Sequence, residues 1–282
     1  MSRLKKLTVE IEAVVADLYQ KNMTYEEIIK SINIRVSHNT ICRIIKKYGV
    51  KRNFLTNPKN CVEHTYFSAI DHPNKAYWLG MLMADGYVNQ KRCYISLQLQ
   101  EIDAAIIEEF GKDLGSKRKV VLCHKVTKAG TSTLQLRQVI SSRLMVKDLQ
   151  SYGVVQNKST KESVPNIAFI SHFIRGMIDG DGTIAVNKKG YPIIQMVGSY
   201  ESMEKIRNIL VKETNIRACK ISMRSNTTGL YLIAWSGLSQ CKKICRYIYK
   251  DAERYMARKK MIADAILKAS DISELSQLIL QK

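Results

Sequence analysis

The sequence predicts an α+β protein with an all-α module in front of it. Three observations predict it. The first 50 residues carry apolar side chains at helical spacing and no strand-like alternation. A motif is repeated later in the chain at an offset of 96 residues. Each copy is followed by the same succession of paired strand-like runs and helical runs, which is the pattern of antiparallel sheets with helices packed on them.

The N-terminal module comes first. Residues 8–20 place Ile11, Val14, Val15 and Leu18 on one helical face. A second helix starts after Thr24, an N-cap with Glu26 and Glu27 in the first turn and Ile28, Ile29 and Ile32 behind it. After Asn33 comes a break, then Ser37 caps a third helix from His38 to Tyr48 that stops at Gly49. Ile41, Ile44, Ile45 and Tyr48 form its apolar face, and His38, Asn39, Arg43, Lys46 and Lys47 lie on the other. Three short helices with a basic third one resemble a helix-turn-helix, although the turn over 33–36 is about two residues longer than the usual form. Those five polar and basic residues are its candidate DNA contacts. Residues 51–65 read as a linker that becomes ordered near Phe67 and Ile70.

The repeat begins at residue 75. KAYWLGMLMADGYV (75–88) and HFIRGMIDGDGTIAV (172–186) align with Gly80 on Gly176, Asp85 on Asp181 and Gly86 on Gly182. Gly80 and Ala84 are four apart, as are Gly176 and Gly180, so each helix carries a stripe of small residues among large apolar ones and the two copies are expected to pack closely on each other. Each helix ends in Asp-Gly, with the glycine suited to a left-handed C′ position. An aspartate at a helix C-terminus opposes the macrodipole by ~0.3–1 kcal/mol. Two carboxylates brought together in a strongly basic chain call for a counter-charge, and a divalent cation is the simplest one.

In the first copy strands are expected over 87–88, 93–100, 119–125 and 133–139, with helices over 101–114 and about 140–152. In the second copy the strands are 183–186, 192–198, 219–224 and 231–235, and the helices 200–214 and 238–249. A basic element closes each copy, at 156–159 and 257–260. Trp78, Trp235, Cys241 and Cys245 are expected in the core, and Asp271–Leu280 as a short amphipathic helix on the second half. Domain bounds follow: 1–50, 51–65, 66–164, 165–270 and 271–282.

Charge narrows the function. The 282 residues carry 45 Lys/Arg against 25 Asp/Glu, a net of +20. Residues 1–60 hold twelve basic and five acidic residues, so both parts of the chain are basic. A polyanion such as nucleic acid is the expected partner. Seven scattered cysteines argue against a disulfide framework. No apolar core follows the opening MSRLKKLTVE and no eighteen-residue apolar run exists, so neither a signal peptide nor a membrane span is expected, and the expected compartment is the cytoplasm of a bacterial or phage-infected cell.

At Trp78–Gly86 and Ile174–Gly182 the chain resembles the LAGLIDADG homing endonucleases, in the single-chain form with two motifs, over about residues 66–268. The resemblance implies two pseudo-twofold-related αββαββα halves packed through the motif helices, with saddle-shaped sheets lying in the DNA major groove. It implies a monomer that cuts both strands of a long, near-asymmetric double-stranded target. Asp85 and Asp181 would bind Mg²⁺, with Mn²⁺ as a substitute. Lys158 and Lys259 would stand near the attacking water or the scissile phosphate. Glu101 would match a solvent-organising position whose counterpart is Ser199. On the sheets, Lys91, Arg92, Arg137, Lys188, Lys189 and Arg224 would contact DNA. The motif departs at its sixth position, with Met83 in the first copy and Asp179 in the second. Two other readings share the fold, a non-catalytic transcription regulator and an RNA maturase. The regulators generally lack the metal-binding aspartates, which are present here twice.

Overall fold

The computed structural model describes residues 7–21, 23–51, 62–126, 132–155, 163–224 and 229–280. The chain divides into two compact units, Met1–Cys61 and Val62–Lys282.

The first unit is three helices: α1 (Val9–Gln20), α2 (Tyr25–Ile32) and α3 (His38–Lys47). The caps at Thr24 and Ser37 are the ones expected from the sequence, and Thr8 adds a third. Thr8 and Ser37 accept from backbone N–H groups of the first turns of α1 and α3, and Thr24 and Glu27 form a reciprocal capping box at α2. Asn33 ends α2 in the left-handed region, φ 48°, and sets the chain up for the long turn into α3. Val15, Ile28, Ile41, Ile44 and Ile45 fill a small core.

The second unit contains the repeat. The first half runs α4 (Pro73–Ala84), β1 (Gly86–Asn89), β2 (Tyr94–Gln100), a 3-10 turn (Glu101–Asp103), α5 (Ala104–Asp113), β3 (Val121–Val126), β4 (Ser132–Ser141) and α6 (Arg143–Ser151). The second half runs α7 (Ile170–Gly180), β5 (Thr183–Val186), β6 (Pro192–Gly198), α8 (Tyr200–Thr214), β7 (Ser222–Met223), β8 (Tyr231–Ser236) and α9 (Leu238–Tyr249). Both sheets are antiparallel with the same order, β1-β2-β4-β3 and β5-β6-β8-β7. Along β2, Ile95, Leu97 and Leu99 point into the core, while Tyr94, Ser96, Gln98 and Gln100 line the other face. One continuous core unites the halves and includes Trp78, Trp235, Cys241 and Cys245. Burial pushes the Cys241 thiol up to about 12, so these thiols are inert packing groups. Arg254 grips Asp113 with two 2.8 Å bonds, and Asp113 also accepts from the Trp78 indole at 2.7 Å, tying the end of the second half to α5 of the first.

Several boundaries differ from the sequence reading. Strand β4 runs on to Ser141, because that residue still pairs with Tyr94, and Ser142 then caps α6. Strand β7 shrinks to two residues on the sheet edge. The element closing the second half opens a full helix, α10 (Ala257–Lys268), which joins α11 (Ile272–Leu280). In the former linker, Phe67 and Ile70 enter the core as expected. His64 and His72 have local roles, in a 2.8 Å contact with Ser142 and as the N-cap of α4, while Cys61 lies outside the described residues.

Candidate active site at the paired helix ends

Helices α4 and α7 pack along their small-residue stripes. A Cβ added at Gly80 would lie 2.1 Å from the Phe173 carbonyl oxygen, and one added at Gly176 would lie 2.1 Å from the Tyr77 carbonyl oxygen. The contact is reciprocal, and no other residue fits at either place. Further along, a Cβ at Gly180 would meet the Ala84 Cβ at 2.4 Å and Asp85 Oδ2 at 3.4 Å.

The glycines after the motif aspartates act differently from the left-handed cap expected of them. Neither Gly86 nor Gly182 has a positive φ, and Asp85 and Asp181 are themselves the C-caps, with right-handed dihedrals. What demands glycine is space. A Cβ on Gly86 would sit 2.5 Å from the Leu82 carbonyl oxygen, and one on Gly182 would sit 2.7 Å from the Ile178 Cα. The strands leave the helices in so tight a turn that both aspartates emerge, exposed, from two buried helix ends.

Two αββαββα halves of identical strand order are thus joined through glycine-seated helices that each end in an exposed aspartate. This is the paired-half arrangement that the repeated motif predicts.

Asp85 borders a cleft of about 750 Å³ over the open face of the first sheet. Ser96, Gln98, Gln135 and Arg137 form its floor, and Gly180, Asp103 and Arg258 form part of its wall. Arg137 donates to Ser96 Oγ at 3.2 Å and lies over the Tyr94 ring, while its buried Nε has no hydrogen-bond partner. Gln98 donates to Gln135 at 2.6 Å. Arg258, on α10 of the second half, reaches Asp103 of the first at 3.1 Å and remains half exposed. Sequence reading missed Asp103, Arg258 and the floor residues other than Arg137. The floor was recoverable from the alternation along 94–100, whereas the Arg258–Asp103 pair spans 155 residues and has no local signal.

Lys259 occupies a different place from its cleft-lining neighbour. It is 4% exposed, and its ammonium donates to the carbonyls of Ile178, Asp179 and Gly182 at 2.6, 2.7 and 2.8 Å. It therefore supplies the positive charge at the C-terminus of α7 that the macrodipole favours. Burial lowers its pKa to about 8. Beside it Asp179 is fully buried, accepting from the Tyr77 hydroxyl at 3.0 Å and the Met256 N–H at 2.8 Å, and burial raises its pKa to about 6. Met83, at the matching position of α4, is an ordinary core residue.

The other sequence candidates are distributed as follows. Glu101 is exposed at the start of the 3-10 turn, and Ser199 is the buried N-cap of α8. Lys158 lies outside the described residues. Lys91 and Arg92 are exposed between β1 and β2, Lys188 and Lys189 between β5 and β6, and Arg224 just after β7. In the N-terminal unit His38, Asn39, Arg43, Lys46 and Lys47 are all exposed on α3, with Lys47 paired to Glu12 of α1.

Among the described residues no three His, Cys, Asp or Glu side chains cluster as a metal cage. Two carboxylates nonetheless fit Mg²⁺, which keeps several waters and is usually held by one or two carboxylates plus substrate phosphates. No helix among the described residues is long and apolar enough to cross a membrane.

No family profile matches the sequence, and no curated protein matches it. Among solved structures, the chain is similar to the homing endonuclease I-WcaI bound to its DNA recognition sequence, at 13% identity and TM-score 0.46, over 80% of this chain and 93% of that one. It is similar to the meganuclease I-SmaMI bound to uncleaveable DNA, at 11% identity and TM-score 0.47, over 74% and 96%. It is also similar to the I-LtrWI LAGLIDADG homing endonuclease bound to target DNA, at 10% identity and TM-score 0.44, over 77% and 97%.

Proposed function

We propose that the chain is a site-specific endonuclease that cuts both strands of double-stranded DNA, with Mg²⁺ held by Asp85 and Asp181. One observation carries the reading. An Asp85 carboxylate oxygen would lie 3.4 Å from a Cβ built on Gly180, the residue before exposed Asp181, so two acidic residues stand at the adjoining ends of α4 and α7 in a protein of charge +20. A divalent cation there would polarise a phosphodiester oxygen and acidify bound water.

The chain's own groups do the rest. Arg137 and Arg258 place guanidinium charge in the cleft that Asp85 borders, where a phosphate backbone would need it. Lys259 pins the last carbonyls of α7 and so fixes the backbone on which Asp181 stands. Glu101 would organise solvent on one side only, since Ser199 is buried, so the two strands would be cut at unequal rates. Lys158 would serve the first half. The polar sheet face reads base edges, the exposed lysines and arginines between strands contact phosphates, and α3 of the N-terminal unit reads a flanking segment. A single chain with two unlike halves acts as a monomer on an asymmetric site.

The test is cleavage-site selection on a randomised duplex library with Mg²⁺. Enrichment of one long sequence cut on both strands supports the reading. A duplex that is bound but never cut with Mg²⁺ supplied points to the regulator, and assistance to intron splicing points to the maturase.

A further inference from the structure

We infer that the second sheet reads its half of the target through thymine methyl groups, while the first sheet reads by hydrogen bonds. The inference rests on the DNA-binding reading above and adds the chemistry of one half-site.

Register makes the two sheets comparable position by position. Tyr87 pairs with Ser96 where Thr183 pairs with Gln195. Continuing outward, the first sheet sets Gln98 against Arg137, and the second sets Val197 against Leu232. Where Asn89 meets Tyr94, the second sheet has Ala185 and Ile193. Ala234 lies opposite Gln195. Val139 already stands opposite Ser96 in the first sheet, so the halves differ at the other registers: Asn89, Tyr94, Gln98 and Arg137 in the first give way to Ala185, Ile193, Val197 and Leu232 in the second.

This aliphatic face is not spare core. The opposite face of the same strands, with Ile184, Ile194, Met196, Ile233 and Trp235, is the buried one. Ala185, Ile193, Val197, Leu232 and Ala234 are all half-buried, on the side that alternation turns outward, and stand apart from the core cluster.

The rim chooses the occupant. Lys188 and Lys189 are exposed at one end of the sheet and Arg224 just after its edge strand. An apolar floor inside a basic border matches a major groove, with phosphates at the border and base edges over the floor. Thymine alone among the four bases offers an apolar group there, its C5 methyl. Aliphatic side chains have nothing to offer the donor and acceptor atoms of the other pairs, and burying those atoms unpaired is unfavourable. Gln195 and Thr183 remain as the polar readers on this face.

The experiment uses the full chain and a duplex selected from a randomised library by binding in Ca²⁺, without cutting, and measures equilibrium affinity in Ca²⁺. The half-sites are assigned by repeating the selection with Arg137→Ala, which alters preference on the first sheet's side. Each half is then rebuilt with deoxyuridine for thymine, a change that removes only the methyl. We expect affinity to fall roughly three- to fivefold for each methyl removed under the second sheet, and to stay within twofold when the first half-site is changed. Val197→Thr, close in shape, should relax thymine preference at one or two positions on that side. Equal tolerance of deoxyuridine in both halves overturns the inference. So does a concentration-dependent self-association that Ile193→Ser abolishes without changing DNA affinity, since the face would then bind protein. A selected duplex that is bound but never cut overturns the nuclease reading alone, and the methyl readout still decides this one.

Discussion

The Lys259 ammonium lies 2.7 Å from the carbonyl oxygen of Asp179, directly under the end of the helix that presents Asp181. A lysine with three carbonyl acceptors and 4% exposure is first a structural group. Lys259→Met leaves three helix-end carbonyls without their charged donor, and we expect a loss of about 3 kcal/mol in denaturant unfolding. The single-turnover cleavage rate should fall with it, with DNA affinity little changed. Unaltered stability would show that the ammonium is not held there.

Removing the acidic ligands should have the opposite stability profile. Asp85 and Asp181 are exposed C-caps, opposed to the helix dipoles, so Asp85→Asn and Asp181→Asn should leave the melting temperature unchanged or slightly raised. Each should abolish double-strand cutting while DNA binding survives. Ca²⁺ in place of Mg²⁺ should likewise allow binding without cutting, because it is larger and less exacting in geometry. Full double-strand cutting by either variant on a plasmid assay would remove the metal assignment.

The helix seam should tolerate no added carbon. Gly80→Ala and Gly176→Ala each drive a methyl to 2.1 Å from a backbone oxygen that cannot step aside. We expect losses of about 3 kcal/mol or more, at or above the upper range for overpacked cores. An alanine variant that unfolds with the parent's midpoint would contradict the close approach.

Asp179 sets a pH dependence. Its folded pKa, about 6, is raised by burial above the ordinary carboxylate value. The stability that its neutral form contributes is complete below pH 4 and disappears as pH rises through 6, by about 3 kcal/mol in all. Relative to Asp179→Asn, which has no proton to lose, the parent should therefore weaken between pH 4 and 6.5 in urea titrations. Lys259, lowered to about 8, acts in a separate window: its contribution is full above the ordinary lysine value and is lost as pH falls through 8. A parallel pair of stability curves across pH 4–6.5 would refute the Asp179 assignment.

Deleting residues 1–61 should leave the larger unit folded, since its core lies wholly within Val62–Lys282. Affinity for the selected duplex should fall, and the slope of log K against log salt should become shallower by about 0.9 for each phosphate that the shortened chain no longer neutralises. Arg43→Ala and Asn39→Ala should each cost ~1–3 kcal/mol at one flanking base pair if they read base edges. An unchanged footprint and salt slope would make the module a bundle with no part in DNA reading.

Much of this architecture can be read from residue spacing. The motif repeat placed the strands of both halves to within a few residues, and the caps Thr24 and Ser37 marked the second and third helices because a cap is a local signal. Helix α10 escaped because its basic start, Ala257–Lys260, carries no cap and no apolar period, and tertiary packing around Lys259 builds it instead. The role of Gly86 and Gly182 escaped for a related reason. Asp-Gly at a helix end reads equally well as a left-handed cap and as a crowded right-handed exit, and only the Leu82 and Ile178 backbones decide between them. Asp85 and Asp181 were legible from composition and position. The partners of Lys259 and Arg258 were not, since both reach across distances in sequence that no pattern encodes.

The reciprocal seating of Gly80 and Gly176 has a consequence for heredity. A change at the seam is felt by both halves at once, because each glycine lies under the other helix's carbonyl. Mutations on the open sheet faces are felt by one half only. Carrying the repeated unit twice in one chain thus separates what must stay matched from what can differ. The hinge line is frozen by steric necessity, while Gln98–Arg137 and Val197–Leu232 have diverged at matching registers. On the proposed DNA-binding reading, one side's recognition surface can change without disturbing the shape of the other.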